Sequence, residues 1–281
     1  MNSYSRRQVL KTGLIGGVSL AVLNDLKALT TFSPGDQWKG LKMGIASYTF
    51  RKFSLDDTIK ALKQLDLHYI SIKDFHLSLK STTEERKTVA QKLIDAGITP
   101  LSCGNVTMEN DEANVRNAFQ YAKDCGMPTI VCSPHPDSMP ILDKMVKEFD
   151  IKLAIHNHGP EDKRFPSPYD VWKAVSKFDK RIGLCIDVGH TARAKVDPAD
   201  AIIKCKERLY DLHFKDINST EPNGTTIQAG RGVLNIPSIL NALLKIKYPY
   251  LVSIEYENDG DNPLPAVAET VGYAKGYLRG K

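Results

Sequence analysis

Cysteine is scarce in this chain of 281 residues, and it does not pair by count. There are five, an odd number at irregular spacing, which excludes a disulfide framework as the basis of the fold. Cys103, Cys132 and Cys185 fall in or beside apolar strand patterns, where a buried free thiol acts as a small hydrophobe. A basic face is also missing. The formal net charge is +5, and Arg6, Arg7, Lys11 and Lys27 all lie in the first segment, so the rest is closer to neutral. Without a concentrated basic run, no nucleic-acid partner is expected. Long apolar runs are absent too. The uncharged stretch at 13–23 falls short of the roughly 20 residues needed to cross a bilayer, and no other segment is a candidate for a stable membrane span.

What is present fits a soluble protein with a large core: 42% apolar and 25% charged residues. The order Ser5-Arg6-Arg7-Gln8-Val9-Leu10-Lys11 followed by the short apolar stretch is a twin-arginine pattern. It predicts export, to the periplasm, with residues 1–39 as signal and linker and residues 40–281 as one domain.

From Lys42 onward one theme repeats: a short apolar run, a loop, then a helical pattern. Strands are expected at 43–48, 69–72, 98–103, 129–133, 152–156, 182–187, 210–214 and 251–255. Ser54 with Asp57, and Asp197 with Pro198, offer helix starts, while Gly97 and Gly126 offer stops. Eight strand–helix units in succession imply a parallel sheet, and a closed (β/α)8 TIM barrel leaves no edge. An open doubly wound sheet would carry a glycine-rich turn after its first strand. Here that turn is Tyr48-Thr49-Phe50-Arg51, without glycine.

Barrel chemistry belongs to the C-terminal strand ends. Of the seven histidines, only His68 precedes a strand; His76, His135, His156, His158, His190 and His213 lie at or just past strand ends. In Leu184-Cys185-Ile186-Asp187-Val188-Gly189-His190 a carboxylate ends an apolar strand and an imidazole follows three residues later. In Leu212-His213-Phe214-Lys215-Asp216 the alternation sends His213 and Lys215 to one face. Glu255 ends a continuous apolar strand, where a lone buried carboxylate would be costly unless paired or metal-bound. His156 and His158 share a face of the fifth strand. The expected metal ligands are therefore His156, Asp187, His213 and Glu255. Adjacent imidazoles favour Mn, Co or Zn over Mg.

At these residues the chain resembles the xylose-isomerase-like barrel superfamily, which includes sugar isomerases and epimerases. The resemblance runs from about Lys42 to the C-terminus. It rests on Asp187-x-x-His190, His213-x-Lys215-Asp216, Glu255 and the glycine-bearing stretch Gly230-Arg231-Gly232-Val233-Leu234-Asn235. It implies a fifth-strand glutamate as ligand, and this chain has His156 there instead. It also implies proton abstraction beside a sugar carbonyl, with a divalent metal as Lewis acid. Reprotonation would make an isomerase or epimerase of a free sugar. Expulsion of a leaving group would make a lyase, as in exported 3-keto-glycoside 1,2-lyases. The export pattern and the missing glutamate favour the lyase. The expected roles are Glu255 or His158 as base, Lys215 or Lys73 at the carbonyl and His190 at the leaving group. Lys73, His76, Glu161 and Arg231 are the expected sugar contacts.

Overall fold

The computed structural model describes residues 36–281; the expected export signal lies outside them. Eight parallel strands close a barrel: β1 (Lys42–Ala46), β2 (Tyr69–Ile72), β3 (Thr99–Met108), β4 (Thr129–Pro134), β5 (Lys152–His156), β6 (Ile182–Asp187), β7 (Leu209–Phe214) and β10 (Leu251–Ile254). Closure comes from β1, which pairs with β2 on one side and β10 on the other. The outer ring is α1 (Leu55–Leu65), α2 (Thr83–Asp95), α3 (Glu112–Asp124), α4 (Met139–Phe149), α5 (Pro168–Val175), α7 (Pro198–Lys204), α8 (Ile236–Lys245) and α9 (Leu264–Arg279). Ser54 caps α1 by accepting from the Asp57 N–H, and Asp197 caps α7 by accepting from Asp200, as their spacing predicts.

Alternation along the strands separates two environments. Leu153 and Ile155 of β5, Leu184 and Ile186 of β6, and Leu212 and Phe214 of β7 join the main apolar core that the helices cover. The intervening residues line the barrel. One layer holds Val131, Ala154, Cys185 and Asp211; the next, at the strand ends, holds His156, Asp187 and His213. All five cysteines are buried and free.

Trp38, ahead of β1, is buried against the core with the Lys275 ammonium over its ring. Four local features depart from the expected pattern. Strand β1 stops at Ala46, and a 3-10 turn over Ser47–Phe50 brings Tyr48 to the barrel mouth. Strand β3 runs ten residues, with an irregularity between Cys103 and Val106 that carries Asn105 and Thr107 to the mouth. A six-residue helix α6 (Val188–Arg193) follows β6 directly, and a small hairpin of β8 (Asp216–Ile217) and β9 (Thr226–Ile227) follows β7.

One buried ion pair ties α2 to α3: Arg86 to Asp124 at 3.1 Å, with both side chains 6% exposed. Burial opposes the Asp124 charge, but hydrogen bonds from Gln120, Arg86 and Thr83 outweigh it and hold the carboxyl below its ordinary value. Its stabilisation is therefore present above about pH 4 and lost as pH falls through the lower folded value. Asp124→Asn removes the carboxylate from a guanidinium that keeps its bonds to the Leu79 carbonyl and Asn117, and should cost about 3 kcal/mol in urea unfolding, against much less for a paired apolar replacement of both residues.

Candidate metal centre and active site

The site is built from consecutive strand ends. His156 ends β5, Asp187 ends β6, His213 lies one step inside the end of β7, and Glu255 follows β10. Register sets them level: Asp187 pairs with His213, His213 pairs with Ser253, and the Glu255 N–H donates to the Phe214 carbonyl at 3.0 Å. Asn157, fully buried, accepts from the Asp187 N–H at 3.1 Å and anchors that strand end.

The two oxygens of Asp187 divide the work. Oδ1 accepts from the His190 N–H at 2.9 Å and caps α6. Oδ2 is buried and faces the cluster. It lies 3.3 Å from His156 Nε2, 3.7 Å from His213 Nδ1 and 2.9 Å from the Lys215 ammonium. His156 Nε2 and His213 Nδ1 are 3.1 Å apart, and His213 Nδ1 is 3.0 Å from Glu255 Oε2. The four donor atoms lie within 4.8 Å of one another. Two imidazole nitrogens and two carboxylate oxygens converging in a buried pocket fit a divalent metal ion. Among the described residues the far nitrogens, His156 Nδ1 and His213 Nε2, have no hydrogen-bond partner, so packing orients these rings.

Electrostatics favour a cation here. Burial opposes ionisation of Asp187, but His190, Lys215 and the flanking imidazoles hold its carboxyl well below the ordinary range. Burial likewise opposes the Glu255 charge, and His213 and Lys215 overcome it. Burial holds His156 well below its ordinary value, leaving a lone pair free. Lys215, 1% exposed, contacts Asp187, Glu255 at 2.6 Å and Glu257. One ammonium thus faces three carboxylates, a deficit that a divalent ion would offset. Lys215→Met should lower the melting temperature of the metal-free protein and enlarge the upward shift on adding Mn2+, read by calorimetry. Below the cluster, burial raises the Asp211 carboxyl to about 6, where Ser102 and Ser253 hydroxyls donate to it.

A cavity of about 310 Å3 opens over the cluster. His158 stands on one side, its ring 4.3 Å from that of His156. His158 Nδ1 is 3.4 Å from Asp162, and Nε2 is 3.0 Å from the Asn105 amide. His190 stands on the other side, and its Nδ1 is 3.1 Å from the Arg193 guanidinium, which in turn contacts Glu161. Lys73 lines the cavity and donates to the Asn105 carbonyl at 2.7 Å. Asp162, Arg193, Asn105 and Glu257 carry no pattern in the sequence, because they lie on loops, on the short α6 or at the irregularity of β3.

Three expected sugar contacts are placed elsewhere. His76 is buried among Ser47, Thr58 and the Phe50 carbonyl, which hydrogen-bond its ring. The Arg231 side chain is 61% exposed and pairs with Glu269 on α9. Glu161 is held by Arg193 at the rim. The glycine-bearing stretch serves the loop itself: Gly230, Gly232 and Leu234 N–H groups all donate to the Asp216 carboxylate, and Gly230 takes a φ of +89°.

A closed eight-stranded barrel with a carboxylate–imidazole cluster at its C-terminal rim has the layout of a β/α-barrel enzyme. The chain belongs to the xylose isomerase-like TIM barrel family, whose model matches residues 59–277. It is similar to the rhizopine catabolism protein MocC of Rhizobium meliloti, 25% identical over 147 residues; the match spans 47% of this chain and 45% of that protein. Among solved structures, an L-ribulose 3-epimerase superposes with a TM-score of 0.69 at 14% identity, covering 85% of this chain and 96% of that one. The 3-keto-D-glucoside 4-epimerase of E. coli superposes with a TM-score of 0.68 at 14% identity, covering 84% and 99%. At these identities the structural likeness speaks to the fold. Among the described residues no helix is long and apolar enough to cross a membrane.

Proposed function

We propose that this member of the sugar isomerase/epimerase superfamily is a metal-dependent lyase that cleaves 3-keto-glycosides by β-elimination. The observation that carries the reading is the opposite hydrogen-bond polarity of the two histidines over the cluster. Asp162 faces His158 Nδ1, so that nitrogen carries the proton and Nε2 is the accepting atom, consistent with the Asn105 amide beside it. The Arg193 guanidinium only donates, so His190 Nδ1 accepts and its Nε2 carries the proton toward the site. A base and an acid on opposite sides suit an elimination, in which different atoms lose and gain a proton.

His156, Asp187, His213 and Glu255 would hold the ion. Bound there, a divalent metal supplies Lewis-acid stabilisation of negative charge on a substrate carbonyl oxygen. With the Asn105 amide displaced from it by substrate, His158 Nε2 takes the proton from the carbon beside the ketone, and Asp162 holds its ring. The released electron pair forms the carbon–carbon double bond and expels the glycosidic oxygen from the adjacent carbon. His190 Nε2–H protonates that oxygen, yielding an alcohol and an unsaturated keto sugar. Lys215 stays protonated: burial opposes its charge, but Asp187, Glu255 and Glu257 hold it well above its ordinary value. It balances the carboxylates and takes no proton.

The second reading, an epimerase, draws on the E. coli 3-keto-D-glucoside 4-epimerase likeness. Incubating the metal-loaded protein with 3-keto-glucosides in deuterated water separates the two. Release of aglycone is the lyase outcome. Deuterium incorporation without cleavage is the epimerase outcome, and neither event would sink both. We also propose export through the twin-arginine pattern; Arg6→Lys with Arg7→Lys should leave the protein in the cytoplasmic fraction, and unchanged export would contradict the signal.

A further inference from the structure

A second cavity, of about 330 Å3, adjoins the one over the metal cluster, and His190 and Glu257 line both. Its remaining wall includes Arg193, Thr225, Thr226 and Asn258, from α6, the β8–β9 hairpin and the segment after β10. We propose that this compartment binds the leaving group, and that the leaving group is itself a neutral sugar ring, so the substrates are disaccharide-like. The inference rests on the carbohydrate reading above and deepens it.

Four observations converge. The proton-bearing His190 stands at the boundary, where a glycosidic oxygen joining two rings would lie. The Arg193 guanidinium lines the compartment, its side chain 12% exposed and held between Glu161 and His190 Nδ1, so its remaining N–H groups are fixed donors for a hydroxyl. The cations of the compartment are already neutralised, Arg193 by Glu161 and Lys215 by Glu255 and Glu257, which disfavours a phosphate or carboxylate and suits hydroxyl groups. Among the described residues no Phe, Tyr or Trp lines it, so an aryl aglycone would find no broad stacking face. Each cavity sits near the lower end of the roughly 300–1,000 Å3 range of small-molecule sites, room for one ring apiece.

The test is calorimetric titration of the metal-loaded full chain with methyl glucosides and with cellobiose and maltose, which lack the ketone and are not turned over. At least one disaccharide should bind about tenfold or more tighter than its methyl glucoside, a gain of about 1.4 kcal/mol. Thr225→Trp, at an exposed hairpin position, should abolish that gain, and Asn258→Ala, a smaller change, should reduce it several-fold. Equal affinities, or a gain that survives both substitutions, would overturn the second compartment alone. Absence of binding by every sugar would contradict the carbohydrate reading and the compartment with it.

Discussion

Glu255→Gln should lose at least about 10³-fold in turnover, because Lewis-acid stabilisation worth several kcal/mol depends on the ligand set and each 1.4 kcal/mol is tenfold. The substitution preserves shape and removes charge. It strips the Glu255 contacts to both His213 Nδ1 and the Lys215 ammonium, at 3.0 and 2.6 Å. The loss should appear equally in kcat and in kcat/KM, with Mn2+ affinity falling alongside. The fold should persist, because the Glu255 backbone N–H, which ties it to β7, is untouched. Steady-state kinetics on a 3-keto-glucoside with circular dichroism as the folding control checks this. Retained activity would remove Glu255 from the site.

His158→Gln should cost about 10²–10⁴-fold in kcat, the usual worth of a positioned base, with KM within a few-fold of wild type. Asp162→Asn should cost less, because it leaves the imidazole in place and removes only the carboxylate charge 3.4 Å from its Nδ1 and beside Arg164. The hierarchy is the informative part. If the base were a cluster carboxylate instead, both variants would remain near wild type. A kinetic isotope effect with substrate deuterated beside the ketone adds a second readout. It should be large in wild type and should persist in His158→Gln if proton abstraction stays rate-limiting.

Much of the fold is legible in the sequence because the signals are local. The bounds of β2, β5 and β6 agree with the apolar runs that predict them, and the starts of α1 and α7 sit on their capping residues. Strand-end position likewise points to His156, Asp187, His213 and Glu255, which the fold brings within 4.8 Å. The illegible parts are of two kinds. Helix α6 and the β8–β9 hairpin are too short to show a period. The partners of long side chains are set by contacts remote in sequence. Arg231 looks like a cavity residue on its glycine-bearing loop, yet it reaches Glu269, and Arg193, with no motif to mark it, reaches both His190 and Glu161. At Asp187 the two oxygens serve different ends: Oδ1 caps α6, and Oδ2 faces the cluster.

The most direct test of the four-ligand centre is metal stoichiometry in the full chain. Metal-free protein dialysed against Mn2+ or Co2+ should take up one ion per chain, and the Co2+ form should show a visible spectrum of mixed nitrogen and oxygen ligation. His156→Ala and Asp187→Ala should each abolish uptake, whereas Arg231→Ala should leave it unchanged. No uptake by the wild type, or full uptake by both ligand variants, would contradict the centre proposed here.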